Sequence, residues 1–78
     1  MMNQLWDIIE TEVVNQFTVV SIPEWMLEAC VHGTFHAVAS PGKPVMFGLR
    51  TTVNKVYITA NSTDTIPFTV FIAGVPKE

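Results

Sequence analysis

Hydrophobic and polar positions change their period once along this chain, near Gly33. Ahead of it, Leu5, Ile8, Ile9 and Val13 recur near helical spacing, with Trp6 and Phe17 flanking the stripe. That spacing predicts a helix from Gln4 to about Gln16, with Asn3 as N-cap and Asp7 and Glu10 toward the positive end of its dipole. Phe17 to Val20 is β-branched and fits either an extension of that helix or a short strand. Ser21-Ile22-Pro23-Glu24 matches a capping box with Pro23 in the first turn, which predicts a second helix from about Ile22 to His32. Trp25, Met26, Ala29 and Cys30 form its apolar stripe, and Gly33 suits a left-handed stop.

Beyond Gly33 the pattern reads as strands separated by turns. Thr34–Ser40 is followed by Pro41-Gly42-Lys43-Pro44, a strong turn signal. Val45–Thr51, a turn centred on Val53-Asn54, and Val56–Ala60 come next. The polar turn 61–64 then leads into Thr65–Ala73. Short links between consecutive strands favour antiparallel pairing of neighbours. The predicted fold is therefore α+β in one domain over residues 1–78. Two N-terminal helices (about 1–33) pack on a three- or four-stranded antiparallel β-meander (about 34–76).

The last strand carries the most information. Ile66, Phe68, Val70 and Ile72 share one face, which belongs in the core. Thr65, Pro67, Thr69, Phe71 and Ala73 share the other, where Phe71 has no evident partner unless Tyr57 lies opposite. Pro67 cannot donate a ladder bond on one side, so it suggests an edge strand or a strand start. An edge this apolar is usually covered in a native protein. Pro67, Thr69, Phe71 and Tyr57 are accordingly the expected interface residues.

Composition sharpens that expectation. The chain has 78 residues, 49% apolar and only 14% charged, against about 25% charged in ordinary domains. A core this small seldom supplies more than about 3–5 kcal/mol without a staple, and Cys30, the single cysteine, cannot close a disulfide within the chain. Association with another chain would cover apolar surface and supply the missing stability. The formal net charge of −3 is unevenly spread. Asp7, Glu10, Glu12, Glu24 and Glu28 precede every base, while Lys43, Arg50, Lys55 and Lys77 follow with only Asp64 and Glu78 opposing them. Such segregation fits attraction between two layers or head-to-tail attraction between subunits. Four scattered bases are too few to track a phosphate backbone, which argues against nucleic acid. The apolar run Ile66–Val75 is far shorter than the roughly 20 residues of a spanning helix. An acidic N-terminal stretch is also unlike a signal peptide, so no membrane partner is expected.

Chemistry is sparse. Cys30, His32 and His36 are the only soft or imidazole ligands, and their spacing matches no established zinc pattern. On a helix Cys30 and His32 point about 200° apart, which prevents a nucleophile–base contact. The glycines are too dispersed for a phosphate loop, and Asn61-Ser62-Thr63 is a glycosylation triplet of the kind common by chance. Trp6 and Trp25 read first as core and second as interface anchors. No catalytic, cofactor or metal residue is expected. The function expected is that of a non-catalytic structural or interaction protein, a subunit of a homomeric assembly that pairs with itself and with other assembly subunits. A small virion or phage structural component would be one such case. The alternatives are a regulatory module or inhibitor docking through an acidic helical face, and a small Cys/His metalloprotein.

Overall fold

A computed structural model describes residues 4–77, so the expected N-cap Asn3 lies outside the described residues. Six strands and a single short helix run in the order β1 (Leu5–Val13), β2 (Phe17–Ser21), α1 (Glu24–Ala29), β3 (His36–Pro41), β4 (Phe47–Thr51), β5 (Lys55–Ala60) and β6 (Ile66–Gly74). They form two antiparallel three-stranded sheets, sheet A in the order β1-β6-β3 and sheet B in the order β2-β5-β4. This overturns the predicted α+β meander under two N-terminal helices, and with it the division into a helical part up to residue 33 and a sheet part after it. The four later strands occur close to their expected positions, but only β4 and β5 pair as sequence neighbours.

β1 is the element that changes the fold class. Its inward side is Leu5, Asp7, Ile9, Thr11 and Val13, while Trp6, Ile8, Glu10 and Glu12 point out, and exposure alternates accordingly. Because Ile8 sits outside and Ile9 inside, apolar residues at 5, 8, 9 and 13 imitate a helical stripe. The β-branched Ile8, Ile9, Thr11 and Val13 favour the extended backbone, and the whole length of β1 pairs with β6 from Leu5↔Gly74 to Val13↔Ile66. Asn15 (φ 53°) and Gln16 (φ 77°) then reverse the chain with two left-handed residues, the requirement of a type I′ turn. Beyond the Val14↔Phe17 bridge the two arms separate, and β2 joins β5 in the other sheet.

The second predicted helix survives as six residues, Glu24–Ala29. Ser21 does not cap it. That residue is the end of β2, paired with Lys55, and the helix opens at Pro23 with no side-chain cap. The Ile22 amide donates to the Asn54 carbonyl at 3.0 Å, which ties the entry to the β4–β5 turn. The exit is tied as well. Cys30 is extended and bridges Pro76, while the Val31 amide donates to Val75 and the Lys77 amide to Ala29. Backbone pairing at both ends leaves no room for a longer helix. Gly33 does have positive φ (81°), in a turn beyond this bridge rather than at the helix end.

One core lies between the sheets. β6 contributes Ile66, Phe68, Val70 and Ile72, as its alternation predicted, and β5 contributes Val56, Ile58 and Ala60 from the other side. Phe47 of β4 meets Phe68 of β6 edge-on at 5.1 Å between ring centroids, joining the layers. Ile22, Met26, Cys30 and Phe35 close the end crossed by α1. Fully burying an aliphatic or aromatic side chain of this kind stabilises by roughly 1.5–3 kcal/mol each. Neither tryptophan joins this core: Trp6 is 55% and Trp25 47% exposed. No helix among the described residues is long and apolar enough to cross a membrane.

Gly74 is closely enclosed by the core, and an added Cβ would stand 2.9 Å from both Cys30 Sγ and the Phe35 ring. Gly74→Ala should therefore lower stability by about 1–3 kcal/mol, the usual cost of overpacking, read as a lower denaturant midpoint. Gln16→Gly should act in the opposite sense. Relieving a left-handed non-glycine residue outweighs the entropy lost by glycine, for a gain of roughly 0.5 kcal/mol in the same measurement.

Candidate functional site

A two-layer sheet has one interior and two exteriors, and in this protein both exteriors are apolar. On sheet A the outward residues form rows across the strands. Trp6, Ala73 and His36 make one row, and Ile8, Phe71 and Val38 the next. Glu10, Thr69 and Ser40 follow, and then Glu12 beside Pro67. Trp6 stacks on Phe71 at 5.4 Å between centroids with 23° between planes. Ile8 and Val38 flank that pair, and Val38 is 63% exposed. At the other end Glu10, Glu12, Ser40, Gly42, Pro67 and Thr69 surround a shallow depression. Face A is thus an aromatic-aliphatic patch that gives way to an acidic notch.

Sheet B mirrors this arrangement with the opposite charge. Phe17, Thr59 and Gly48 form one outward row, Val19, Tyr57 and Arg50 the next, and Ser21 with Lys55 the last. Phe17 lies 6.3 Å from Tyr57 between ring centroids. The Arg50 guanidinium carbon sits 4.9 Å over the centre of the Tyr57 ring, a cation–π contact that holds the charge against the sheet. A Cβ at Gly48 would come within 3.2 Å of Thr59 Oγ1, so the row beside Phe17 is low and leaves that ring open on one flank.

The expected interface residues divide between the two exteriors. Pro67, Thr69 and Phe71 do share an outward face, but β6 is the central strand of sheet A, not an edge. Pro67 is tolerated as the second residue of β6, and its carbonyl accepts the Gly42 amide at 2.7 Å. Tyr57 does not oppose Phe71. It stands on the outside of sheet B, and Trp6 partners Phe71 instead. Ile8 and Val38 on one side, and Phe17, Val19 and Arg50 on the other, were not singled out from the sequence as interface residues, and Trp6 was read so only second to core. No alternation in the sequence marked Trp6 and Ile8, because β1 is apolar on both of its sides.

The Cys/His group separates. Cys30 is fully buried, His32 is exposed in a turn, and His36 is exposed on β3 in the row of Trp6. Among the described residues no three His, Cys, Asp or Glu side chains converge as metal ligands would. Burial raises the Cys30 thiol above its ordinary pKa, partly offset by the positive charge of Lys77. A buried thiol with this environment packs as a small apolar group. Asp7, Glu10 and Glu12 lie on a strand, so of the acidic residues expected on helices only Glu24 and Glu28 stand on one, both exposed on α1.

Comparison with protein-family models, with curated proteins and with solved structures gave no match for this chain.

The raised thiol pKa has a definite sign. The unfolded chain ionises its thiol at a lower pH than the folded one, so this contribution to stability is complete below the ordinary thiol value. It is lost as pH climbs from that value toward the raised one. Denaturation midpoints between neutral and alkaline pH should fall more for the parent than for Cys30→Ala, and a thiol reagent at neutral pH should label Cys30 only on unfolding.

Proposed function

We propose that this protein is a non-catalytic structural subunit that associates with copies of itself through its outer sheet faces. The observation that carries this reading is the pair of exposed apolar patches, Trp6, Ile8, Val38 and Phe71 outside one sheet and Phe17, Val19 and Tyr57 outside the other. Soluble monomers seldom expose contiguous apolar patches of much more than a few hundred Å², and larger ones mark interaction sites. Aromatic residues in the middle of such patches are the usual anchors of binding energy. The low charge content supports the same reading, because 14% charged residues leave little to keep these faces wet. A virion or phage structural component is the concrete case that this composition suggests.

Light scattering behind a sizing column, from micromolar to near-millimolar protein, tests the proposal. The parent chain should exceed its monomer mass of 8.7 kDa and grow with concentration. Phe71→Lys should weaken association at least tenfold. It should cost the monomer only about 0.5–1.5 kcal/mol, the worth of the lost stack on Trp6, as read from thermal unfolding at low concentration. A monodisperse monomer throughout would replace the structural subunit with a regulatory binding module whose partner is another protein.

A further inference from the structure

The strands of the two sheets carry charge of one sign each. Sheet A holds Asp7, Glu10 and Glu12 and no Lys or Arg, while sheet B holds Arg50 and Lys55 and no Asp or Glu. Glu10 and Glu12 point out from face A, and Arg50 and Lys55 point out from face B. With the core between the layers, these groups face away from each other and cannot pair within one molecule. We infer that the copies stack head to tail, the outside of sheet A on one copy against the outside of sheet B on the next, with Glu10 and Glu12 meeting Arg50 and Lys55. This rests on the self-association proposed above and specifies which surfaces meet.

The spacing supports the pairing. Glu10 and Glu12 are two residues apart on one strand, so their Cα atoms are separated by about 7 Å. Arg50 is opposite Tyr57, two residues from Lys55, and such diagonal neighbours also stand roughly 7–8 Å apart. The order of features matches as well. On each face the aromatic residues stand toward one end and the charges toward the other, so the overlay that sets charge against charge also sets ring against ring. The acidic notch has room for a long side chain between Glu10, Glu12 and Pro67. Arg50, held over Tyr57, is already oriented, and its planar fork suits a carboxylate. Like-on-like stacking lacks this complementarity. Two A faces would leave the carboxylates with no base to neutralise them, and two B faces would leave the cations with no acid.

Charge reversal tests the geometry. Glu10→Lys with Glu12→Lys makes every exposed sheet charge of that variant positive, and Arg50→Glu with Lys55→Glu makes them negative in the other. Each variant alone should lose association by tenfold or more, while an equimolar mixture, or one chain carrying all four changes, should recover it. Circular dichroism checks that each variant folds. Glu10→Gln with Glu12→Gln, and Arg50→Gln with Lys55→Gln, give the same readout in smaller steps should a reversal prove unstable. Undiminished assembly of the Arg50/Lys55 variant, or a mixture that stays dissociated, would overturn head-to-tail pairing while leaving self-association intact. A parent chain that is monomeric at every concentration would overturn both.

Discussion

Everything in this molecule is arranged around the alternation of β6. Its buried side, Ile66, Phe68, Val70 and Ile72, is the floor of the core, and its exposed side, Pro67, Thr69 and Phe71, is the middle of face A. Both neighbours take their register from it, so the rows outside sheet A are fixed by the same pairing that fixes the interior. A shift of one residue would turn the whole strand over, sending four large apolar groups to water. The interior therefore holds the exterior in place. Phe71 and Trp6 are stacked because Ile72 and Val70 cannot move.

The same logic explains why the protein leaves its exteriors apolar. Five-residue strands in β2 and β4 supply a narrow second layer, and α1 contributes only Met26 to the buried set from its six residues. Among the described residues no helix or further strand crosses over either outer face. Under the self-association proposed above, further stabilisation comes from a second copy. In that proposal the segregated charge supplies orientation, since exposed ion pairs contribute little to affinity but strongly disfavour wrong pairings.

Sequence and structure agree where one reading of the pattern was dominant. β6 was legible because period-two alternation runs from Ile66 to Ile72, and the turns at residues 41–44 and 52–55 were legible from their Pro, Gly and Asn. β1 was not, because it is apolar on both sides. Ile8 belongs to the outer patch and Ile9 to the core, and two adjacent isoleucines fit helical spacing as well as strand alternation. The capping-box pattern at Ser21 was a coincidence of letters: the hydroxyl residue ends a strand, and the Pro23 that suited a helix start also permitted a short one. Of the candidate site, the outward face of β6 could be read directly. Its neighbours Trp6, Ile8 and Val38 could not, since they become adjacent only through pairings between residues more than thirty positions apart.

That topology also sets an order of events during synthesis. Sheet B can close as soon as β5 is made, since β2, β4 and β5 are then all present. Sheet A has no such early stage. β1 and β3 never touch as neighbours, and each waits for β6, the sixth strand to emerge. Until then β1 is a nascent segment bearing Trp6, Ile8, Ile9 and Val13 with no ladder partner. Folding that depends on distant pairings is slow and leaves unpaired strands open to other chains. Asp7, Glu10 and Glu12 are spaced through β1, and charges so placed disfavour strand-to-strand pairing of such a segment with its own copies.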